Sequence, residues 1–243
     1  MYDSCKRKHF DVKNMIIFAI KNKLPNMANI ASFTFSPFQE NTYVIYDETK
    51  ECIIIDPGCY DSQERNILVN FIAENNLRPV RLVNTHCHID HVFGNAFVAK
   101  KYNLKLEAHK GEEIVLAAAE IAAKMYGVKL EHSPDIEVFL KEGETLRFGN
   151  TTFEILFTPG HSPASLSFFC REHKFVIAGD VLFRQSIGRT DLPGGNFDTL
   201  MKSIREKLLP LGDEVQVFSG HGESTTIGYE RVNNPFLTGR YTL

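Results

Sequence analysis

The chain of 243 residues is 43% hydrophobic and 11% aromatic, which suffices for a sizeable core and excludes a disordered or low-complexity protein. Its formal charge of −3 comes from interspersed acids and bases without a dense run of Lys and Arg, so nucleic acid is not an expected partner. The five cysteines are odd in number and form no C-x-x-C pair, which indicates reduced thiols and a cytoplasmic location.

The first 27 residues take part in none of the motifs described below, and Met27 stands just before the first convincing strand. Their apolar run at 15–20 is shorter than the roughly 18 residues that span a bilayer. Lysines follow this run where a secretory signal would have small residues. We therefore expect no targeting segment, no membrane partner, an N-terminal extension at 1–27 and one folded domain at 28–243.

The first part of that domain reads as a strand meander followed by helices. Strands are predicted at 30–35, 42–46 and 52–55, and the last of them ends in the turn Asp56-Pro57-Gly58. A helical apolar pattern follows at 66–73, and a short apolar run at 80–83 leads directly into a histidine-rich segment. The stretch Glu112–Tyr126 is predicted to be an amphipathic helix in ordinary packing, because Gly127 follows it and apolar residues recur at 114, 118, 121, 122 and 125.

The second part of the domain is again rich in strands. Strands are predicted at 152–157, 165–170, 175–178 and 215–218, and a helix near 198–208. No internal repeat or linker divides them. This order suits two sheets packed face to face with helices outside, although the pattern alone indicates only an α/β or α+β protein.

The segment from His86 to His91 reads His-Cys-His-Ile-Asp-His and offers three imidazoles and a carboxylate, which are ligand types suited to zinc or iron. Side chains alternate in an extended segment, so His86 and His88 can face one way while Cys87 faces the other. We therefore predict that Cys87 is a buried, inert thiol.

Further candidate ligands stand at the ends of three later apolar runs, and each follows a strand and a glycine. They are His161, Asp180 and His221. Glycine lets the backbone come close to an ion, and rigid strands fix the side chains that bind it. The sequence therefore predicts one metal site on a shared rim of strand ends.

The motifs T-H-C-H-I-D-H, T-P-G-H-S-P-A-S, A-G-D and S-G-H-G resemble the successive motifs of the metallo-β-lactamase superfamily, from about Ile30 to the C-terminus. The resemblance implies an α/β protein with a four-layer αββα sandwich, and hence a hydrolase domain at 28–243. It also implies two divalent metal ions, with zinc favoured and iron or manganese as alternatives.

Carried over residue by residue, the resemblance implies that the first ion is bound by His86, His88 and His161. The second would be bound by Asp90, His91 and His221, with Asp180 as a bridge between the two. Asp56 matches a family acid that orients the metal site from behind. Asp90 would in addition take up a proton during catalysis.

Within the superfamily, His91 and the segments 186–195 and 220–228 resemble the short glyoxalase II-like hydrolases, whereas many true β-lactamases have arginine at the position of His91. The implied reaction is hydrolysis of a small-molecule thioester, such as an S-hydroxyacylglutathione, or of a related ester, by a hydroxide that the metals activate. Ala164 departs from the glycine that is usual in the family. The chain ends 22 residues after His221, which is too few for the helical domain with which longer glyoxalases II hold glutathione. We therefore expect weak binding of the thiol portion of the substrate.

Two other functions are weighed against this one. A persulfide dioxygenase with one iron has similar motifs, including Gly-Arg-Thr-Asp, but the tail Gly220-His-Gly-Glu favours the hydrolase. A catalytically silent metal-binding module would have no need for all seven ligand residues.

Ser162 is not a predicted nucleophile, because Pro163 has no N–H for an oxyanion hole. Arg189 and Asp191 are predicted to pair with each other.

Overall fold

The computed structural model describes residues 16–18 and 28–240, and two β-sheets dominate them. The first sheet begins as an antiparallel meander and continues from its fourth to its seventh strand in parallel. Its strands, in spatial as well as chain order, are β1 (Ile16–Phe18), β2 (Asn29–Phe35), β3 (Glu40–Tyr46), β4 (Glu51–Ile55), β5 (Arg78–Val83), β6 (Leu106–Ala108) and β7 (Ile136–Phe139).

The second sheet has six strands and is antiparallel except for one parallel pair. Its strands are β8 (Thr145–Phe148), β9 (Thr151–Phe157), β10 (Leu166–Cys170), β11 (Phe175–Gly179), β14 (Gln216–Ser219) and β15 (Thr225–Thr226). Their spatial order is β15-β14-β11-β10-β9-β8, and β11 pairs with β14 in parallel. A separate two-stranded hairpin consists of β12 (Leu182–Phe183) and β13 (Ser186–Ile187).

Helices connect the strands and lie outside the sheets. They are α1 (Ser62–Glu74), α2 (Ile89–Val92), α3 (Asn95–Tyr102), α4 (Glu113–Tyr126), α5 (Phe197–Ser203) and α6 (Ile227–Asn233). A 3-10 turn at Lys110–Glu112 precedes α4, and a π-helical turn at Ile204–Leu208 and a 3-10 turn at Leu209–Leu211 follow α5. The helix predicted at 66–73 begins earlier, because Asp61 caps it by accepting a hydrogen bond from Glu64 N.

Alternation along the strands separates three apolar layers. In β4, Ile53 and Ile55 pack between the two sheets, whereas Ile54 faces the helices that cover the first sheet. In β10, Phe168 faces the first sheet and Phe169 packs with the residues of α5. The fold is therefore the predicted four-layer αββα sandwich.

The helix predicted at 112–126 is present, but its buried face differs from the prediction. Ile114, Ile121 and Met125 were expected to face the core, yet 62 to 82% of each is exposed to solvent. The contact is made instead by Ala119 and Ala123, one turn apart. Small side chains let the helix approach its neighbours closely, and a helix that is apolar on several sides gives a pattern that does not identify the packed one.

Most of the predicted extension at 1–27 lies outside the described residues. Its described part, Ile16–Phe18, forms the edge strand β1 and pairs antiparallel with residues 30–32 of β2. Over the ranges 16–18 and 28–240, no helix is long and apolar enough to cross a bilayer. The four cysteines at positions 52, 59, 87 and 170 are free and buried.

Candidate metal centre

The candidate ligands meet where strands of both sheets end. After β5 the chain leaves the first sheet and presents His86 and His88 from a loop, then Asp90 and His91 from the short helix α2. The second sheet contributes one residue after each of three strands: His161 beyond β9, Asp180 directly after β11, and His221 two residues after β14. The structure thus brings all seven predicted side chains to one rim.

Three histidines form a first group. His86, His88 and His161 each offer a ring nitrogen, and these nitrogens lie within 4.8 Å of one another. Nδ1 of His88 is 2.9 Å from Nε2 of His161, although the two residues are 73 positions apart in the chain. Such a convergence of imidazole nitrogens suits a transition-metal ion.

A second group consists of Asp90, His91 and His221, whose ligand atoms also lie within 4.8 Å of one another. Asp90 Oδ2 is 3.1 Å from His221 Nε2 and 3.8 Å from His91 Nε2. The group mixes one carboxylate with two imidazoles, and this donor set suits zinc, iron or manganese.

Asp180 lies between the two groups. Its Oδ2 is 3.4 Å from Nε2 of His161, in the first group, and 3.5 Å from Nε2 of His221, in the second. Its Oδ1 is 3.5 Å from His91 Nε2. One carboxylate therefore has an oxygen within reach of both groups.

Backbone carbonyls determine which nitrogen two of the histidines present. His161 Nδ1 lies 2.8 Å from the carbonyl oxygen of Arg189, and His221 Nδ1 lies 3.2 Å from that of Gln39. A carbonyl oxygen only accepts, so each Nδ1 carries a proton and it is Nε2 of each ring that faces the rim.

Asp56 fixes two further imidazoles from behind. It accepts the Thr85 hydroxyl proton at 2.6 Å, so the Thr85 oxygen is free to accept from His86 Nδ1 at 3.0 Å. Asp56 Oδ2 also lies 3.1 Å from His91 Nδ1. Asp56 therefore lies behind the two imidazoles, and its orienting role, which the resemblance implies, stays a prediction.

The charge states of three of these groups suit cation binding. Burial and the neighbouring imidazoles hold the pKa of His86 well below its usual value, and burial and His161 lower the pKa of His88 to about 3. Burial opposes ionisation of Asp180, but His91 outweighs it and lowers the pKa of that carboxyl. His91 differs: burial opposes a charge on it, yet the Asp90 and Asp180 carboxylates raise its pKa well above the usual value, so an ion bound there would displace a proton.

Several of these atoms have no hydrogen-bond partner among the described residues. His86 Nε2, His91 Nε2 and Asp180 Oδ1 are buried and form no hydrogen bond. Buried polar atoms are rarely left unpaired, because each costs free energy that a ligand would recover. Their common location at the rim fits a site built for metal ions.

The glycines before the ligands have the expected role at two positions. Gly179 has a φ of +53° and lies so close to Thr85 that a Cβ would come within 2.5 Å of its hydroxyl oxygen. A Cβ on Gly220 would lie 2.8 Å from Cε1 of His91. Neither position has room for a side chain.

The structure also bears on the predictions for Cys87, for Ser162 and for the pair of Arg189 and Asp191. Cys87 is fully buried in the apolar layer between the first sheet and its helices, as expected of an inert thiol. Ser162 is buried and donates its hydroxyl proton to Glu112. Arg189 pairs with Asp191 through two hydrogen bonds of 2.7 and 2.8 Å, as predicted.

Sequence reasoning missed two buried acids beside the rim. Glu40 is fully buried with Oε1 4.0 Å from His91 Nδ1, and burial raises the pKa of this carboxyl well above its usual value. Glu112 contacts the loops that carry the first group. Neither belongs to a ligand motif, and glutamates are ordinarily exposed, so the sequence held no signal of their burial.

Two aromatic residues lie near the candidate ligands. The ring of Phe38, which precedes Gln39, contacts that of Tyr126 in a T-shaped arrangement with 5.4 Å between centroids. Half of Tyr126 is exposed. The C-terminal end of α4 therefore lies beside Phe38, the neighbour of the residue whose carbonyl faces His221.

Comparison with known proteins gives consistent matches over most of the chain. Residues 35–221 match the family model described as the metallo-beta-lactamase superfamily. A protein of Haemophilus influenzae named hydroxyacylglutathione hydrolase GloC is 37% identical over 219 residues, which covers 87% of this chain and 99% of the relative.

Two solved structures of similar sequence share the fold. The B3 metallo-beta-lactamase BLEG-1 is 36% identical, with a TM-score of 0.80 over 88% of this chain and 100% of that one. TTHA1623, solved in a di-iron-bound form, is 35% identical, with a TM-score of 0.76 over 85% of this chain and 99% of that one.

Proposed function

The chain belongs to the metallo-β-lactamase superfamily, and we propose that within it the protein is a dinuclear metal-dependent hydrolase that cleaves thioesters of the S-hydroxyacylglutathione class. The observation that carries the proposal is the convergence of two ligand groups on Asp180. Zinc is the favoured metal on ligand chemistry, and the di-iron form of TTHA1623 keeps iron as the alternative.

In this proposal His86, His88 and His161 would hold one ion, and Asp90, His91 and His221 would hold the other. Asp180 lies within reach of both groups. Two such ions, when bound, supply a water with a pKa of about 7 and polarise the carbonyl oxygen of the substrate.

Contacts within the protein orient the candidate ligands around that centre. The carbonyls of Arg189 and Gln39 face Nδ1 of His161 and of His221, so Nε2 of each ring is the nitrogen that would face an ion. Asp56 orients His86 in the same way through Thr85, and its Oδ2 lies 3.1 Å from His91 Nδ1. These contacts orient four of the five imidazoles before any ion binds.

We assign to Asp90 a second role, that of accepting a proton during the reaction. Its side chain is 13% exposed, whereas that of Asp56 is 1% exposed, so Asp90 can exchange a proton with solvent and Asp56 cannot. Burial alone would raise the pKa of Asp90, but the neighbouring His91 outweighs it and keeps the carboxylate ionised. An ionised carboxylate is the form that accepts a proton.

The thioester class is favoured by GloC, which matches 87% of this chain and is named a hydroxyacylglutathione hydrolase. Phe38 and Tyr126 offer an apolar surface near the rim that is compatible with such a substrate. Since BLEG-1 is described as a B3 metallo-beta-lactamase, a β-lactam belongs in the test as a competing substrate.

The test combines metal analysis with a substrate panel on the same sample. We expect up to two transition-metal ions per chain and release of free thiol from S-lactoylglutathione, with Asp180→Ala and His88→Ala losing both metal and turnover. His132→Ala is the matched control, because this exposed histidine pairs with Glu120 away from the rim. Full turnover by a metal-free sample, or cleavage of a chromogenic β-lactam alone, would contradict the proposal.

A measurement of oxygen consumption on the same protein distinguishes the proposed hydrolase from a persulfide dioxygenase. Such an enzyme would consume oxygen when given glutathione persulfide, whereas the proposed hydrolase consumes none. Oxygen uptake by the iron-loaded protein, together with inactivity towards every thioester in the panel, would reverse the assignment.

A further inference from the structure

Glu112 is a fully buried carboxylate that the proposed reaction does not use. It ends the 3-10 turn that precedes α4. A buried carboxylate is costly unless hydrogen bonds occupy its oxygens, and burial raises the pKa of this one. The position of Glu112 therefore depends on what its oxygens accept.

Every hydrogen bond described for this carboxylate comes from one of two loops. Oε2 accepts from Cys87 N at 2.9 Å, and Oε1 accepts from Ala164 N at 2.9 Å. The hydroxyl of Ser162 donates to both oxygens, at 2.6 and 2.8 Å. One side chain thus bonds to two segments that are far apart in the sequence.

These two loops carry the first group of histidines. Cys87 stands between His86 and His88, and Ser162 directly follows His161. The carboxylate consequently sets the separation between the first two imidazoles and the third. A group that fixes predicted ligands from behind commonly affects metal affinity about 10- to 100-fold.

We propose that Glu112 is a positioning residue that holds the two histidine loops at the spacing required by one metal ion. The inference rests on the metal set of the proposed function. It also assigns Ser162 a role, because the hydroxyl that resembles a nucleophile serves as a donor to this carboxylate. Asp56 reaches His86 and His91, whereas Glu112 joins the loop of His86 and His88 to that of His161.

The informative variant is Glu112→Gln, which keeps the size of the side chain. The backbone donors of Cys87 and Ala164 bond to different oxygens, so the amide NH2 must face one of them and lose that hydrogen bond. Glu113→Gln is the matched control, since Glu113 is the next residue, has the same chemistry and is exposed.

The measurement is a titration of the metal-free, folded proteins with Co²⁺ and Zn²⁺ against a competing chelator, read by the cobalt absorption spectrum and needing no substrate. We expect Glu112→Gln to bind one ion with wild-type affinity and the other about 10- to 100-fold more weakly. His161→Ala, which lacks a member of the first group, identifies the spectrum of the remaining ion. Glu113→Gln should bind both ions normally.

If Glu112 had a structural role alone, the variant would lose affinity for both ions equally or would keep both affinities within twofold of wild type. Either result overturns the inference. If Glu112→Gln does not fold, Glu112→Asp keeps the charge but is too short to bond both loops. The same selective weakening is then expected, and equal affinities again overturn it. A wild-type protein that binds both ions yet cleaves no thioester contradicts the proposed function, while the affinity comparison still decides the role of Glu112.

Discussion

Gly220 lies directly before His221, where the backbone passes close to two other candidate ligands. A Cβ at this position would stand 2.8 Å from His91 Cε1 and would also collide with Asp180 Oδ1. We expect Gly220→Ala to lower metal content and to reduce turnover by at least about tenfold, because a displacement of about 1 Å can cost roughly 100-fold in rate. Metal analysis of the purified variant is the first measurement.

The control for this substitution is Gly222→Ala. Gly222 has a φ of +72°, and no atom of the described residues lies within 4 Å of the place that a Cβ would take, so alanine there adds strain without touching a candidate ligand. Such strain costs about 1–3 kcal/mol of stability. Equal metal content in wild type and Gly220→Ala would show that the rim tolerates the methyl group.

Cys87 provides a second prediction at this scale. Its side chain lies in the apolar layer under the helices, so Cys87→Ala should keep the metal content and most of the turnover. Loss of the buried sulfur should lower stability by about 1 kcal/mol. Cys170→Ala, at an equally buried position between the sheets, should have a similar effect on the melting temperature. Metal loss that is confined to Cys87→Ala would mean that the thiol is a ligand.

At the scale of elements, α4 packs against the first sheet and ends beside Phe38, near the candidate metal centre. Its alanines pack inwards, while Tyr126 at its end contacts Phe38 beside the rim. We expect Tyr126→Ala to raise the KM of a thioester substrate by roughly 2- to 10-fold with little change in kcat, since truncation removes apolar surface for the substrate and about 1.4 kcal/mol of binding corresponds to tenfold.

Ile114→Ala is the matched control for Tyr126→Ala, because Ile114 is exposed at the opposite end of the same helix. Steady-state kinetics of both variants with S-lactoylglutathione make the comparison. An unchanged KM in Tyr126→Ala, or an equal rise in Ile114→Ala, would show that the end of α4 does not contact the substrate.

The elements that could be predicted from sequence are those with a long enough pattern. The strands β2 to β4 and β9 to β11 have apolar runs bounded by turn residues, and α4 has both length and a terminal glycine. Strands such as β6 (three residues) and β12 (two residues) are too short for a period to be visible. Their formation depends on partners distant in the chain, which a local pattern does not reveal.

The same distinction applies to the candidate site. The seven candidate ligands stand in short motifs, so their common location could be predicted, and their role in metal binding stays a prediction. Glu112 is different, because its partners Cys87 and Ala164 lie 25 and 52 residues away. The face on which α4 packs was predicted wrongly for a related reason, since a helix with several apolar sides is oriented by the surface that receives it.

At the scale of the whole molecule, the candidate metal centre lies across the junction of the two sheets. The loop after β5 supplies ligands from the first sheet, and His161, Asp180 and His221 come from the second. Hydrogen bonds already join the two sheets beside the centre. Asn41 Nδ2 donates to the carbonyls of Ser219 and Gly222, and the hydroxyl of Tyr43 donates to that of Ser219 at 2.6 Å. The rim is thus organised by the protein, and bound ions would add a second connection.

This location predicts that metal binding stabilises the entire sandwich. An ion that binds only the folded state adds about 4 kcal/mol when its free concentration is 1,000 times its Kd. For a domain of this size each kcal/mol raises the melting temperature by roughly 2–4 °C, so one such ion should raise it by about 8–16 °C. The measurement compares chelated with metal-reloaded wild type by calorimetry, and metal content is determined on the same samples.

The double variant His161→Ala/His221→Ala retains the ligands of the first sheet but loses two from the second, so metal should raise its melting temperature much less. If fully loaded and metal-free wild type melted within about 2 °C of each other, the ions would not connect the sheets.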